Sequence, residues 1–209
     1  MPDIINSPFD IIVYLIPGAL LLVAIVFRCE PDRLRHAQEK IGLGELLVGL
    51  VAAILLGIIA LRLSGVVLPI ARLVYGEGIL AGMVRTFPEL SSIRETVDAK
   101  VKLGRNGDIW YYHYARAVVE QKVQASTESA QRLYSLALLC RSMLLCVPTA
   151  ALILASAYTK QRPRPWRKAV ILIGALTGLE LIFAHAFLSY WAAAVWKFLR
   201  AYVVLQAFG

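Results

Sequence analysis

Charge is scarce in this chain of 209 residues: only 17% is charged, against the ~25% usual for a soluble domain. Cysteine is scarcer still. Cys29, Cys140 and Cys146 are an odd and scattered set, which argues against a disulfide framework and against a cysteine metal site and fits small buried apolar side chains. Several catalytic patterns are missing. There is no H-E-x-x-H for a membrane metalloprotease, no G-x-S-x-G nucleophile elbow, no C-x-x-C redox pair and no P-loop. His36, His113 and His185 are dispersed, without the spacing that a metal needs. These absences point away from an enzyme and imply no cofactor.

What the chain has instead is hydrocarbon. It is 59% hydrophobic, and four apolar runs are each about long enough to cross a bilayer: Asp10 to Phe27, Glu45 to Leu61, Tyr134 to Tyr158 and Ala169 to Tyr190. A helix rising ~1.5 Å per residue needs ~20 residues to cross a ~30 Å hydrocarbon core. The expected fold class is therefore all-α: a polytopic membrane protein with four transmembrane helices (TM1 to TM4) and a helical insert between TM2 and TM3.

The segment boundaries follow from where polarity returns. Residues 1–27 hold the N-terminus and TM1, 28–44 a basic loop, 45–62 TM2 and 63–133 an interfacial or extramembrane helical domain. TM3 covers 134–158, a basic turn 159–168, TM4 169–190 and an aromatic-basic C-terminal helix 191–209. Met1 to Ser7 carry no Lys or Arg, and the apolar stretch after them is too long for a signal h-region, so TM1 is expected to remain in the mature protein. Ser7-Pro8 reads as a helix start, with Ser7 as N-cap.

Within the insert, Ser64 to Gly82 is interrupted by Pro69, Arg72 and Glu77 and reads as a short helix lying in the interface. Ser92-Ile93-Arg94-Glu95 has capping-box spacing and is expected to open a helix running to about Leu103, followed by a turn at Gly104 to Asp108. From Ile109 no breaker occurs until Pro148, which predicts one long helix continuous with TM3. The alternative is a break near Ser126-Thr127. A piece of this size is marginal as an independent domain, so it is expected to lean on the membrane, on TM3 or on neighbouring subunits.

Three sets of residues stand out. Pro17-Gly18 lies within TM1, where proline removes a backbone hydrogen bond: a kink tolerated at a packing contact, or a hinge. Gly49, Ala53 and Gly57 share one face of TM2, and Gly174 and Gly178 share one face of TM4, spacings that let another helix approach closely. Arg141, Glu180 and His185 are ionisable groups inside spans, where exposure to lipid is costly. The antiparallel neighbours TM3 and TM4 bring Arg141 within plausible reach of Glu180 or His185. A structural ion pair is the first reading, and an aqueous or proton-linked path the second. The aromatic run Trp110 to Tyr114 reads first as a helix face packed on a core and second as a stacking platform for a ligand.

The net charge is +8. In this setting anionic headgroups account for it better than nucleic acid does, so the expected partners are membrane lipids, with no direct nucleic-acid contact. The loops Arg28–Lys40 and Lys160–Lys168 are both basic and lie on the same side of a four-span chain. The positive-inside rule puts them in the cytoplasm, with both termini and residues 63–133 outside it.

The kinked TM1 (Tyr14-Leu15-Ile16-Pro17-Gly18), the insert between TM2 and TM3 and the tail from Tyr190-Trp191 to Phe208 together resemble, in outline, small four-span bacterial inner-membrane proteins, some of which act as sensors or effectors in antiphage defence. The resemblance implies a non-enzymatic homo-oligomer of the bacterial inner membrane, with a possible cytoplasmic protein partner. It carries no functional residue over. The alternative is an ion channel or small transporter subunit using Arg141, Glu180 and His185.

Overall fold

The computed structural model describes residues 8–29, 42–100, 108–122, 124–159 and 166–208. They form six helices: α1 (Pro8–Cys29), α2 (Leu43–Arg85), α3 (Glu89–Lys100), α4 (Asp108–Lys122), α5 (Gln124–Thr159) and α6 (Trp166–Phe208). There is no strand among the described residues. Four stretches are long and apolar enough to cross a membrane: Ile11–Cys29, Leu43–Gly65, Thr127–Ser156 and Ile173–Ala207. The fold is all-α, with the architecture of a multi-pass membrane protein.

Several boundaries differ from expectation. The structure continues α2 from Leu43 to Arg85 in place of a separate interfacial helix after TM2. At ~1.5 Å per residue this helix is ~64 Å long, about twice what a hydrocarbon core takes up. Helix α3 opens at Glu89, three residues before the capping-box serine. The preceding turn explains this: Phe87 N donates to the Val84 carbonyl, and Leu90 N donates to the Phe87 carbonyl. Pro88 then supplies a φ suited to a helix start, and Glu89 places a negative charge in the first turn, where the helix dipole favours it. Ser92 falls inside the helix, its carbonyl accepting from Thr96 Oγ1 at 2.9 Å. Ser126 and Thr127 are helical, so there is no break there; the one gap between α4 and α5 is position 123, outside the described residues. Ser7 and the turn at 104–107 also lie outside them. The tail is not a separate helix, because α6 runs through Tyr190 to Phe208.

The chain forms two compact units. The first comprises Met1–Val66 and Leu138–Phe187, the second Val67–Ala137 and Leu188–Gly209. The first unit has an inverted surface for a water-soluble protein. Leu43, Val48, Leu152, Ile171, Leu181 and Ile182 are all exposed, the behaviour expected where the surroundings are lipid.

Inside that unit, α1 and α2 meet backbone to backbone. A Cβ built on Gly18 would overlap the Ala53 carbonyl, and one built on Gly57 would overlap the carbonyl of Tyr14. Each glycine therefore points a Cα–H toward a carbonyl on the other helix, a reciprocal weak hydrogen-bonding arrangement common at close helix contacts. The pairing of Tyr14 with Gly57 and of Gly18 with Ala53 is antiparallel. Pro17 is fully buried beside this contact. Of the stripe on TM2, Ala53 and Gly57 lie at the contact, whereas Gly49 has open space where a Cβ would stand. At the end of α1, Arg28 Nε donates to Ser156 Oγ at 3.2 Å, so the ends of TM1 and TM3 meet at one pole of this unit.

Gly57→Ala separates two readings of these glycines. Alanine favours helix over glycine by about 1 kcal/mol, but here its methyl meets backbone, and overpacking costs ~1–3 kcal/mol. Gly57→Ala and Gly18→Ala are expected to lower stability by about 1–2 kcal/mol in denaturation from detergent. Gly49→Ala is expected to leave stability unchanged or raise it.

Candidate functional site

Two polar features are built into the structure, one in each unit. In the first unit, Arg141 on α5 and Glu180 on α6 are both half-buried, and His185 on α6 is exposed. The Oε1 of Glu180 is buried and has no hydrogen-bond partner, so the anticipated hydrogen bond from Arg141 is not made at that oxygen. Beside Arg141, Ser142 is fully buried and returns its hydroxyl to the Leu138 carbonyl at 3.0 Å. Thr149, next to the in-helix Pro148, donates to the Leu145 carbonyl at 2.7 Å. Such back-bonding satisfies side-chain hydroxyls where lipid offers no partner. Cys140 and Cys146 are buried free thiols and Cys29 is an exposed one.

Gly174 and Gly178 lie on α6. Among the described residues nothing stands within 4 Å of a Cβ built at either. Leu181 and Ile182, three and four residues past Gly178, are each 63% exposed.

The second unit holds a cluster of buried hydrophobic residues. Val84 of α2, Leu90, Ile93 and Val97 of α3, Tyr111, Tyr112, Ala115 and Val119 of α4, Ala130 of α5, and Val195, Phe198, Leu199 and Tyr202 of α6 form one core. The spacings within α3, α4 and α6 are the i, i+3, i+4, i+7 stripe of an amphipathic helix. The insert therefore completes its core with the C-terminal segment of the chain's own last helix. That contribution was readable at Val195, Phe198, Leu199 and Tyr202, but the length of the apolar run around them hid its periodicity.

A cation sits at the edge of this core. The Arg116 guanidinium lies 4.8 Å from the Tyr134 ring centroid and 5.4 Å from that of Phe198, and its Nε is 2.8 Å from Glu120 Oε1. Burial works against the Arg116 charge, but the Glu120 hydrogen bond and the surrounding groups outweigh it and raise the guanidinium above the usual arginine range. Beside it, Tyr112 packs against Phe198 and Trp191, with centroids 6.4 and 6.3 Å away. Its hydroxyl is buried and makes no hydrogen bond of full geometry, although the Arg116 guanidinium lies close enough to oppose the effect of burial, which pushes the phenol up to about 12. Tyr111 instead donates its hydroxyl to both Asp98 oxygens, at 2.9 and 3.2 Å, tying α4 to α3. That bond holds the proton and raises the phenol above its usual range. Tyr111 and Tyr112 are thus core residues, as the first reading of the aromatic run has it. Arg116 and its ring partners were not singled out from sequence. The i, i+4 spacing of Arg116 and Glu120 was the available signal.

Among the described residues no group of three or more His, Cys, Asp or Glu side chains is placed to hold a metal ion. The sequence matches no family model, and no curated protein or solved structure is significantly similar to it.

Replacing Tyr112 by Phe removes a buried hydroxyl that lacks a well-formed hydrogen bond, and the stability of the second unit is expected to change by less than about 1 kcal/mol. Phe198→Ala is expected to cost about 3–5 kcal/mol. Because the folded Tyr112 holds its proton to about 12 while a free phenol releases it near 10, the contribution is complete below pH 10 and is lost as pH rises toward 12. Unfolding followed across that window should show a falling stability whose slope flattens in Tyr112→Phe.

Proposed function

We propose that this chain is a non-enzymatic, oligomeric integral membrane protein of the bacterial inner membrane that senses or perturbs the membrane, and that it serves in antiphage defence. The observation that carries the oligomer is the unused close-packing face of α6. Among the described residues nothing stands within 4 Å of a Cβ built at Gly174 or Gly178, and Leu181 and Ile182 nearby are exposed. Small residues in lipid favour association because they let backbones approach. Helices α2, α5 and α6 each contribute residues to both compact units, so repacking in the insert is covalently continuous with the spans. A bistable packing of that kind is the usual basis of a switch. The defence role rests on the outline resemblance to small four-span bacterial proteins. In the proposed orientation the basic loops are cytoplasmic, and both termini and the insert lie outside. A cytoplasmic protein partner would then dock at those loops.

Mass measurement of the full chain in nanodiscs tests this reading. It is expected to give one defined oligomer that shifts toward monomer in Gly174→Leu with Gly178→Leu. A monomeric wild-type protein would contradict it.

A second reading, an ion channel or small transporter subunit, is favoured by one observation, the buried and unpartnered Oε1 of Glu180 within a span. Ionisable groups at membrane depth mark pathways when water reaches them. This reading expects proton or cation flux in reconstituted liposomes, abolished by Glu180→Ala. Liposomes that stay tight with the wild-type protein would dismiss it.

A further inference from the structure

Helix α6 is longer than a membrane can use. Its apolar stretch Ile173–Ala207 covers 35 residues. At ~1.5 Å per residue it rises ~52 Å, well beyond a ~30 Å hydrocarbon core, so part of it lies outside hydrocarbon. The side chains near its C-terminal end show where it leaves. One face is closed there: Val195, Phe198, Leu199 and Tyr202 are buried in the core of the second unit. The opposite face is open, with Trp196, Arg200 and Val204 exposed at successive turns. That open face carries the charge. The Arg200 guanidinium lies 5.1 Å from the Trp196 ring centroid, and Lys197 precedes Arg200 by three residues. From Leu188 to Phe208 there is no acidic residue. The ion pair described in this unit joins Arg116 to Glu120 and uses neither Lys197 nor Arg200.

A bilayer centred on this face would expose Arg200 to hydrocarbon, which is costly. A bilayer ending at it takes the ~35 Å of helix from Ile173 to Trp196, about one hydrocarbon core. A second helix gives the same level. The Arg116 guanidinium lies 4.8 Å from the Tyr134 ring centroid on α5 and 5.4 Å from that of Phe198 on α6, so the two rings stand at one height. The side chains of Arg116 and Glu120 remain 26% and 32% exposed. A partly exposed ion pair fits headgroups or water better than hydrocarbon. Tryptophan beside Lys and Arg at the end of a span is the combination that anchors a helix at a membrane–water interface.

We infer that the face formed by Trp196, Lys197 and Arg200 docks on the headgroup layer of the bilayer, with the two cations on lipid phosphates and the Trp196 ring at the edge of the hydrocarbon. The inference rests on the membrane reading and deepens it. It fixes where the last span ends and sets the Phe198 level of the second unit's core at headgroup depth. Cations at that depth favour anionic headgroups over zwitterionic ones.

Depth-dependent quenching tests the level. The signal is the fluorescence difference between the full chain and Trp196→Phe, each reconstituted in phosphatidylcholine liposomes with a nitroxide at the headgroup or near the end of the acyl chain. Trp196 is expected to lose most of its emission to the headgroup nitroxide and little to the deep one. Stronger quenching by the deep label overturns the assignment, since it puts the face in mid-bilayer. Absence of quenching by either label also overturns it, since the face then lies in water or under protein. Native mass spectrometry of the full chain, released from micelles supplemented with phosphatidylglycerol or phosphatidylcholine, tests the charge. Lys197→Gln with Arg200→Gln should lower the retention of phosphatidylglycerol relative to phosphatidylcholine by roughly fivefold for each cation removed. Lys197→Arg with Arg200→Lys keeps both charges and should leave the ratio unchanged. An unchanged ratio in the glutamine variant, or an equal fall in the charge-keeping one, overturns the assignment. Alkaline carbonate extraction keeps the two levels apart. A protein that stays in the membrane pellet with Trp196 unquenched loses only this assignment, whereas release by carbonate removes the membrane reading beneath it.

Discussion

In hydrocarbon every backbone N–H and C=O must find a partner inside the protein, and the α-helix provides this within a single segment. That requirement accounts for the unbroken helical spans and for how the chain treats its interruptions. Pro17 and Pro148 each delete a backbone donor, yet α1 and α5 continue through them. Ser142, Thr149 and Thr177 fold their hydroxyls back onto carbonyls of the preceding turn. With backbone donors and acceptors closed off along each helix, contact between helices rests on packing and on side-chain bonds such as that from Arg28 to Ser156. At the α1–α2 crossing it takes its closest form, because Gly18 and Gly57 leave nothing between one backbone and the carbonyls of the other.

The second unit shows a closed core: Ile93, Val97, Ala115, Val119, Val195 and Leu199 are completely buried. The insert shares this core with a segment of α6 that lies within the apolar stretch Ile173–Ala207. The C-terminal segment of α6 closes it, and the rings of Phe198 and Tyr202 supply much of its volume. Arg116 marks the edge, its charge held over two rings and paired with Glu120. Beside it the Tyr112 hydroxyl is buried without a hydrogen bond of full geometry.

The two units thus hold different kinds of unfinished surface. In the second it is a Tyr112 hydroxyl without a hydrogen bond of full geometry, within a closed core. In the first it is a small-residue face on α6 with none of the described residues packed on it, and a carboxylate oxygen of Glu180 without a hydrogen bond. Surfaces left incomplete within one chain belong to its surroundings. In a bilayer the first of those is lipid, and the proposed oligomer would add further copies of the same helix.

Sequence alone determined that the chain is helical and where it is apolar enough to cross a membrane, because ~20 uncharged residues in a row leave a chain few other solutions. It also marked Pro17-Gly18, Ala53 and Gly57, since small residues at four-residue spacing announce a contact face. It did not say which face meets which. Gly49 and Gly57 share one stripe, yet Gly57 is pressed against α1 and Gly49 is not, and Gly174 and Gly178 have the right spacing with none of the described residues within 4 Å of a Cβ there. The capping-box signal at Ser92 lost to the turn at Phe87-Pro88, a choice set by local hydrogen bonds that side-chain spacing does not encode. Tertiary structure decided what α6 does beyond Tyr190. An apolar run has the same composition whether it faces lipid or a protein core, and only the arrival of α3 and α4 against Val195, Phe198, Leu199 and Tyr202 makes it a core.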